Sequence, residues 1–346
     1  MHAAGPVFSH HDFDARRLAT RKDEAGLTVS LCIPARDEAP TIGRIVESAR
    51  RRLVESVPLV DEILVVDDHS VDGTGAVAAA AGARVVHSGD ILPGVGPGSG
   101  KGDAIWKSLS ASNGDLVAWV DGDITDFGPR FVTGLLGPLL TYPAVQFVKA
   151  FYRRPGGGPA GGGGRVTELV ARPLINLFFP ELSGLIQPLA GEYAGRRSLL
   201  EAIPFFTGYA VEIGHLIDAA EKLGIEGLGQ VDLERRVHRN QELEGLSRMS
   251  FVILQAVMKR VEERRKARLF AEMGSTMKLP RSGHGRLSLE VIELADQERP
   301  PMIRIPEYLE RRRDAALRAG APSASASSAT APRAPDATEP AEPARR

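Results

Sequence analysis

The feature that most constrains the fold is an alternation of short apolar runs with amphipathic segments between residues 27 and 152. Five runs have the length and branched composition of buried strands, and the segments between them carry apolar residues at helical spacing. The runs are TVSLCIP, EILVVDD, ARVVHS, DLVAWVDGD and AVQFVKAFY. This alternation predicts an α/β fold with a mainly parallel central sheet and helices on both of its faces.

The other residues form three regions of different composition. Residues 1–26 are polar and irregular, and residues 153–318 combine irregular segments and helices with one predicted strand, GLGQVDLERRVHRN. We expect residues 153–318 to form a smaller C-terminal lobe packed on the Rossmann-like half, residues 27–152. Residues 319–346 contain almost no large apolar side chain and are rich in Ala, Pro and Ser, so we expect a disordered tail.

Composition excludes several classes of function. The formal net charge is -1, so no global basic field attracts nucleic acid and any anion site must be local. The single cysteine, Cys32, rules out an internal disulfide, and its apolar neighbours indicate a small core residue. No apolar stretch reaches the roughly 20 residues of a membrane span, and no secretory h-region opens the chain. We therefore expect a cytoplasmic protein without a membrane anchor.

Acidic pairs follow two of the predicted strands, at the edge where ligands bind in such sheets. Asp67 and Asp68 end the second strand, where adjacent carboxylates repel each other unless they hold a polar ligand. Asp121 and Asp123 end the fourth strand, and two carboxylates separated by one residue can address one site. Mg²⁺ prefers such oxygen ligands together with substrate phosphates, so this second pair is a candidate metal site.

Two glycine-rich loops each precede a predicted helix. The first, GVGPGSGKGD, matches neither a Walker A loop nor a dinucleotide fingerprint. It does place Lys101 at a helix start, where a cation favours an anionic partner. The second, GGGGRVT, brings Gly164, Arg165 and Thr167 to a helix start. Backbone amides there bind anions and Arg165 adds a bidentate donor, which predicts a phosphate or carboxylate site.

Two further clusters carry weaker signals. The run PARDE at residues 34–38 follows the first strand, but an ordinary loop before a helix offers the same residues. In the segment RVHRN, alternation along a strand end would put Arg236, His238 and Asn240 on one face. A neutral histidine in that position can complete a metal shell that carboxylates begin.

Taken together, these clusters resemble the nucleotide-binding half of the family-2-like glycosyltransferases. The motifs P-A-x-x-E, D-D-x-S-x-D-x-T, G-K-G and D-x-D occur in that order between residues 27 and 150. The combination is far more specific than any one motif. The resemblance implies a nucleotide-diphospho-sugar transferase fold of the GT-A type, with a smaller C-terminal lobe that binds the acceptor.

Segments of the second half narrow the resemblance. GGGRVTEL, QPLAGEYAGRR, GYAVEIGHLID and VHRN are similar to the glucosyl-3-phosphoglycerate synthases, which are retaining enzymes, and the similarity spans residues 27–270. It implies a homodimeric hexosyltransferase that uses Mg²⁺ or Mn²⁺ and moves glucose from UDP-glucose to the 2-hydroxyl of 3-phosphoglycerate. A mannosyl relative using GDP-mannose stays open as an alternative. A nucleotidyltransferase and a nucleotide-sugar sensor without turnover are the more distant alternatives.

The resemblance also implies a role for each matching residue. The donor side would comprise Pro34, Ala35, Arg36, Glu38, Asp68, Ser70, Lys101, Asp121, Tyr209 and Glu212. The acceptor side would comprise Gly164, Arg165, Thr167, Arg236 and Asn240. Asp123 and His238 would hold the metal ion.

The reacting groups are expected to be few. Asp123, Glu212 and the backbone carbonyl of Leu189, near the reacting carbon, are the catalytic candidates. Glu192 and Glu212 stay open as nucleophiles for double displacement, but retention is best explained by front-face attack. The leaving diphosphate would then accept the acceptor's hydroxyl proton, and the protein would contribute positioning and charge neutralisation.

Overall fold

Buried runs rich in β-branched residues, joined by polar turns, form an eight-stranded sheet at the centre of the fold. The structure is a computed structural model that describes residues 5–153, 164–237, 242–269, 273–283, 286–294 and 296–318. Three predicted features lie outside the described residues: His238, Asn240 and the tail at 319–346.

The bounds of the elements are as follows. In chain order the strands are β1 (Val7–Ser9), β2 (Val29–Ala35), β3 (Glu62–Asp67), β4 (Arg84–His87), β5 (Leu116–Trp119), β6 (Phe147–Arg153), β7 (Tyr193–Arg196), β8 (Phe205–Phe206), β9 (Leu228–Arg235), β10 (Thr276–Gly283), β11 (Arg286–Glu293) and β12 (Glu298–Arg299). The α-helices are α1 (Ala15–Glu24), α2 (Ala39–Ala49), α3 (Thr74–Ala80), α4 (Lys101–Ala111), α5 (Arg130–Thr141), α6 (Arg172–Phe178), α7 (Arg197–Leu200), α8 (Val211–Leu223), α9 (Leu243–Arg265) and α10 (Pro306–Arg318). π-helical turns extend α2 over Arg50–Glu55 and precede α6 over Thr167–Ala171.

The central sheet has the order β1-β9-β6-β7-β5-β2-β3-β4. β7 runs antiparallel to its neighbours β5 and β6, and the other pairings are parallel. All five strands predicted in the first half are confirmed as β2 to β6, and the strand predicted in the second half is β9. The predicted α/β class with a mainly parallel sheet is therefore confirmed.

Both faces of the sheet are covered, which explains why its central strands are apolar throughout. Successive residues of β2 alternate between two cores, with Leu31 and Ile33 in one and Cys32 in the other. Burial raises the pKa of the Cys32 thiol to about 12, so the residue is an unreactive part of the core, as predicted.

The expectation that residues 1–26 are irregular is wrong for most of that segment. β1 adds a parallel edge strand to β9, and α1 follows it with Asp14 as a side-chain cap on the amide of Arg17. Leu18 and Ala19 of α1 are buried. The pattern was missed because α1 packs against α5, more than 100 residues later in the chain, and buries only a narrow apolar stripe.

Strands from both halves of the chain share the central sheet. From the second half, β7 lies between β5 and β6, and β9 lies beside β6. The boundary predicted near residue 152 thus falls at the end of a sheet strand. The apolar face of α9 contributes Ile253 and Val257 to the core, both fully buried. Among the described residues, no helix has the length and apolarity needed to cross a bilayer.

Candidate active site

The polar clusters that follow the first strands meet at one edge of the sheet. β2 leads into residues 34–38, β3 into residues 67–68 and β5 into residues 121–123. These three strands are parallel neighbours, so their carboxyl ends lie side by side. β7 runs in the opposite direction, which brings its preceding residue, Glu192, to the same edge.

Lys101 joins two acidic residues at this edge. Its Nζ lies 2.7 Å from Asp121 Oδ1 and 2.7 Å from Glu212 Oε1. Burial opposes the charge of Lys101, but the two carboxylates outweigh it and raise the pKa of Lys101 well above its usual range. Lys101 is the first residue of α4, so the carboxylates also offset an unfavourable helix dipole.

Arg236 draws three acidic residues from two segments together. Its Nη2 lies 2.7 Å from Asp121 Oδ2 and 2.8 Å from Asp123 Oδ1, and its Nε lies 3.1 Å from Glu192 Oε1. The remaining nitrogen, Nη1, donates to the hydroxyl of Tyr152 at 2.9 Å. All three guanidinium nitrogens therefore face partners within the protein, and an acceptor contact by Arg236 would need one of them to change partner.

Asp121 is held ionised between these two cations. Burial would raise the pKa of its carboxyl, but the charges of Lys101 and Arg236 outweigh burial and keep that pKa well below its usual range. Gly191 lets the groups approach, because a Cβ at that position would lie 2.3 Å from Asp121 Oδ2 and 2.6 Å from Lys101 Nζ. Any larger residue there would push the Lys101–Asp121 pair apart.

Two buried ionisable groups adjoin this network. Glu192 is fully buried, and burial raises the pKa of its carboxyl even though Arg236 is beside it. Lys149 is also buried; its Nζ has no hydrogen-bond partner among the described residues and lies 4.4 Å from the ring centroid of Tyr193. Burial lowers the pKa of Lys149 to about 7. Sequence reasoning missed Lys149, although a lysine inside the apolar run FVKAFY is an available signal.

The ends of β2 and β3 are joined by hydrogen bonds that shape the edge. Ser70 Oγ accepts from the amide of Asp37 at 3.1 Å, and Asp68 accepts from the amide of Gly100 at 2.9 Å. Asp37 and His69 have positive φ angles of 55° and 64°, which non-glycine residues adopt rarely and mostly where surrounding contacts impose them. Asp68 thus ties the first glycine-rich loop to the end of β3.

A cleft of about 710 Å³ opens between this edge and the glycine-rich loop. Its volume is in the range typical of small-molecule and cofactor sites. The lining residues are Arg36, His69, Val95, Gly96, Pro97, Gly98, Ser99, Thr207, Gln297 and Arg299. Of these, sequence reasoning assigned a role only to Arg36. Gln297 and Arg299 could not be found that way, because they come from a distant segment that only folding brings to the cleft.

That segment, residues 296–299, is here called the C-terminal strap. It contains β12, which pairs antiparallel with β8. Arg299 donates from Nε to Asp103 Oδ1 at 2.7 Å and from Nη1 to the carbonyl of Val95 at 2.6 Å. Lys107 completes the arrangement, with Nζ 3.0 Å from Asp103 Oδ2 and 2.9 Å from the carbonyl of Pro97. The wall of the cleft is therefore fastened to α4 by buried charges.

The predicted acceptor residues begin a helix. The chain is helical from Arg165, directly after Gly164, and Thr167 in its first turn is buried. The predicted donor-sugar residue Tyr209 is 46% exposed, in the turn just before α8. Leu189 lies in the turn before β7, so its carbonyl is close in sequence to Glu192.

The carboxylates of Asp121 and Asp123 offer the oxygen ligands that a hard divalent cation prefers. Arg236 Nη2 already holds one oxygen of each, so a cation would use the other oxygens or displace this contact. The side chain of Asp123 is 24% exposed. Within the described part of the chain, no third histidine, cysteine or carboxylate joins them in a three-ligand group. His238, the other predicted metal ligand, lies outside the described residues.

Comparisons with known proteins identify the family. Residues 30–204 match the profile of glycosyl transferase family 2. The chain is 48% identical to glucosyl-3-phosphoglycerate synthase of Petrotoga mobilis over 88% of its own length and 95% of the relative's. It is 49% identical to the enzyme of the same name from Mycolicibacterium smegmatis, over 68% of this chain and 78% of that one.

Solved structures give the same family. Mannosyl-3-phosphoglycerate synthase from Rubrobacter xylanophilus superposes with a TM-score of 0.82 at 44% identity, covering 87% of this chain and 97% of that one. Glucosyl-3-phosphoglycerate synthase from Mycobacterium tuberculosis, in complex with Mn²⁺, UDP and phosphoglyceric acid, gives 0.77 at 39% identity, covering 87% and 99%. The chain therefore belongs to glycosyl transferase family 2 and, within it, to the glucosyl-3-phosphoglycerate synthases.

Proposed function

We propose that this protein is a retaining hexosyltransferase that moves glucose from UDP-glucose to the 2-hydroxyl of 3-phosphoglycerate and forms glucosyl-3-phosphoglycerate. The observation that carries the proposal is the pairing of Lys101 with both Asp121 and Glu212, beside a cleft of about 710 Å³. Relatives with this activity in their names are 48% and 49% identical. The structures from Mycobacterium tuberculosis include complexes with UDP-glucose and phosphoglyceric acid.

The donor nucleotide is proposed to occupy the cleft at the ends of β2 and β3. Arg36 lines this cleft, and Ser70 and Asp68 organise the turns beside it. The base and ribose contacts are assigned to Pro34, Ala35, Arg36, Glu38, Asp68 and Ser70. Lys101 would face the diphosphate and Asp121 the ribose. Tyr209 and Glu212 would hold the sugar.

The metal ion is proposed to be Mg²⁺ or Mn²⁺, bound by Asp123 and His238. Structures of the Mycobacterium tuberculosis enzyme contain UDP with Mn²⁺ in one case and with Mg²⁺ in another. When bound, the cation supplies Lewis-acid neutralisation of the diphosphate charge. Gly164, Arg165 and Thr167 would bind the acceptor's phosphate or carboxylate at the start of their helix, with Asn240 and Arg236 nearby.

Retention is proposed to proceed by front-face attack because neither candidate carboxylate is poised as a nucleophile. Glu212 is paired with Lys101 at 2.7 Å, and Glu192 is buried against Arg236 at 3.1 Å. The hydroxyl proton of the acceptor would pass to a leaving diphosphate oxygen while the glycosidic bond breaks. The chain's own contribution is then orientation by Arg165 and Glu212, and charge neutralisation by Lys101.

A mannosyl-3-phosphoglycerate synthase that uses GDP-mannose is the second candidate. It is favoured by one specific observation, the TM-score of 0.82 with the Rubrobacter xylanophilus enzyme of that name. A cytoplasmic location and a homodimer are also proposed. The single cysteine, Cys32, is free and buried, which fits a reducing compartment. The number of subunits can be measured by light scattering on the purified protein.

The test is nucleoside diphosphate release by purified protein with Mg²⁺ and 3-phosphoglycerate, comparing UDP-glucose with GDP-mannose. UDP release that requires the acceptor is the expected result. Release of GDP from GDP-mannose, without release of UDP from UDP-glucose, would make the protein the mannosyl enzyme. Release of neither nucleotide would reject both proposals. Omission of 3-phosphoglycerate controls for hydrolysis of the donor.

A further inference from the structure

A second cluster of metal-ligating side chains lies away from the site described above, where the edge strand β1 meets β9. Ser9 of β1 pairs with Asp232 of β9, so the residues that follow on each strand lie close together. His11 Nε2 is 2.8 Å from Glu234 Oε1, and His10 Nε2 is 3.5 Å from Glu234 Oε2. The three ligand atoms all lie within 4.8 Å of one another, and this is the only such three-ligand group among the described residues.

The backbone holds these side chains in place from both directions. Ser9 and Asp12 form a capping box around the 3₁₀ turn His10–Asp12, with the amide of Ser9 donating to Asp12 Oδ2 at 2.8 Å. The turn brings the two imidazole rings to a centroid distance of 3.9 Å. Glu234 adopts a φ angle of 65°, and its amide donates to Asp232 Oδ1 at 2.8 Å. Both imidazoles are thereby aimed at one carboxylate.

The charges around the cluster suit a cation with nitrogen ligands. The side chain of His10 is only 11% exposed, and its Nε2 faces the carboxylate of Glu234. That Nε2 is buried and lacks a hydrogen bond of good geometry. The guanidinium of Arg130, whose charge acts on His10, is occupied by Asp126 at 3.1 Å and by the carbonyls of Leu233 and Arg235. It does not compete for Glu234.

We propose that His10, His11 and Glu234 bind a divalent transition metal, with Zn²⁺ as the preferred ion. Two imidazole nitrogens and one carboxylate form a three-ligand zinc set that leaves a fourth position for a water molecule. Borderline-soft nitrogen ligands favour Zn²⁺ over Mg²⁺, which prefers oxygen. The site is independent of the proposed sugar transfer, because no residue is shared with the network around Lys101.

Binding at this position would fasten the edge strand β1 to β9. β9 continues through Arg235 into Arg236, whose guanidinium holds Asp121 and Asp123. A bound ion would therefore stabilise the strand that delivers Arg236 to the other site. The ligands come from segments more than 220 residues apart, so only the folded protein brings them together. Metal binding is therefore expected to raise the free energy of unfolding.

The test is a calorimetric titration of metal-free, full-length protein with Zn²⁺, in buffer containing excess Mg²⁺ and UDP to fill the Asp123 site. We expect saturable binding of a single Zn²⁺ and a rise in the thermal unfolding temperature. Both should disappear in His11→Ala and in Glu234→Gln, and both should persist in Asp123→Asn. His11 and Glu234 have exposed side chains, so these variants are expected to fold, which circular dichroism checks.

Two outcomes would overturn the proposal. Zn²⁺ binding that is undiminished in both His11→Ala and Glu234→Gln would place the ion elsewhere. Absence of saturable binding to the wild-type protein would leave the cluster as a hydrogen-bonded contact between a carboxylate and two histidines. Neither outcome depends on the transferase assay, so failure here is distinguishable from failure of the proposed function.

Discussion

Arg299 Nε donates to Asp103 Oδ1 at 2.7 Å, so the C-terminal strap is fastened to the helix that begins with Lys101. Asp103 is fully buried, and Arg299 also holds the carbonyls of Val95 and Gly96 in the glycine-rich loop. The C-terminal strap therefore shapes one wall of the cleft proposed for the donor nucleotide, although it lies after residue 204, where the family match ends.

Arg299→Met is expected to lower the free energy of unfolding by about 3 kcal/mol, the lower end of the cost of breaking a buried ion pair, because Lys107 still neutralises Asp103. The loop should also lose its position, so the KM for UDP-glucose should rise more than the KM for 3-phosphoglycerate. Urea unfolding and steady-state kinetics measure the two effects. Arg299→Lys is the matched control and should restore part of both. Equal changes in both KM values would contradict a positioning role.

Lys101→Met should lower kcat/KM by roughly 10²–10³-fold, the size of effect expected when a preorganised charge is removed from a reacting site. The substitution also leaves Asp121 and Glu212 without their shared cation, so unfolding should be easier. Lys101→Arg keeps the charge and should retain more activity. Wild-type kinetics in Lys101→Met at unchanged fold would exclude the role proposed for this residue.

Asp123→Asn should remove turnover at every Mg²⁺ concentration, because the proposed metal ligand loses its charge. Product formation over a Mg²⁺ titration is the measurement. Asp90→Asn, at an exposed position in a short turn, is the control and should behave as wild type. A metal-dependent rate close to wild type in Asp123→Asn would refute the assignment.

Arg165→Ala is expected to raise the KM for 3-phosphoglycerate by about ten- to a hundredfold, since a hydrogen bond to a charged group contributes about 1.5–3 kcal/mol. The KM for UDP-glucose should change little. Initial rates at saturating donor measure the first value, and Arg165→Lys should show a smaller increase because it keeps the charge without the bidentate geometry. An unchanged acceptor KM would reject the proposed anion site.

Lys149 should make stability depend on pH in the neutral to alkaline range. Burial lowers its pKa from 10.5 to about 7 in the folded protein, so between these values the unfolded chain binds the additional proton. The free energy of unfolding therefore rises as the pH rises from 7 to 10.5, because the cost of burying Lys149 falls. Below pH 7 the folded protein carries the full cost of burying a charged lysine.

The comparison is urea unfolding of wild type and Lys149→Met at pH 7 and pH 9. The variant should be the more stable at pH 7, and its advantage should shrink by pH 9. Lys222→Met, at an exposed position late in α8, is the control and should leave the pH dependence unaltered. A constant difference between Lys149→Met and wild type across this range would mean that Lys149 stays charged or stays neutral throughout.

Only part of the candidate site was predictable from the sequence. Asp121 and Asp123 were predicted from a strand end, Lys101 from a helix start, and Glu212 only from the family resemblance. The contacts of Arg236 with Asp121 and Asp123 were not, since they join residues 113 or more positions apart. The strap residue Arg299, 196 positions after Asp103, lies in a segment that carries no motif.

The sequence by itself determined the parallel α/β order of β2 to β6, because buried runs and helical spacing are local patterns that need no partner to be recognised. Only the tertiary structure decided that β7 enters the sheet antiparallel, that α1 is a helix and that Lys149 is buried without a hydrogen bond. These outcomes depend on which distant surfaces cover a residue. Burial and charge pairing are properties of the assembled fold, and no short stretch of sequence contains them.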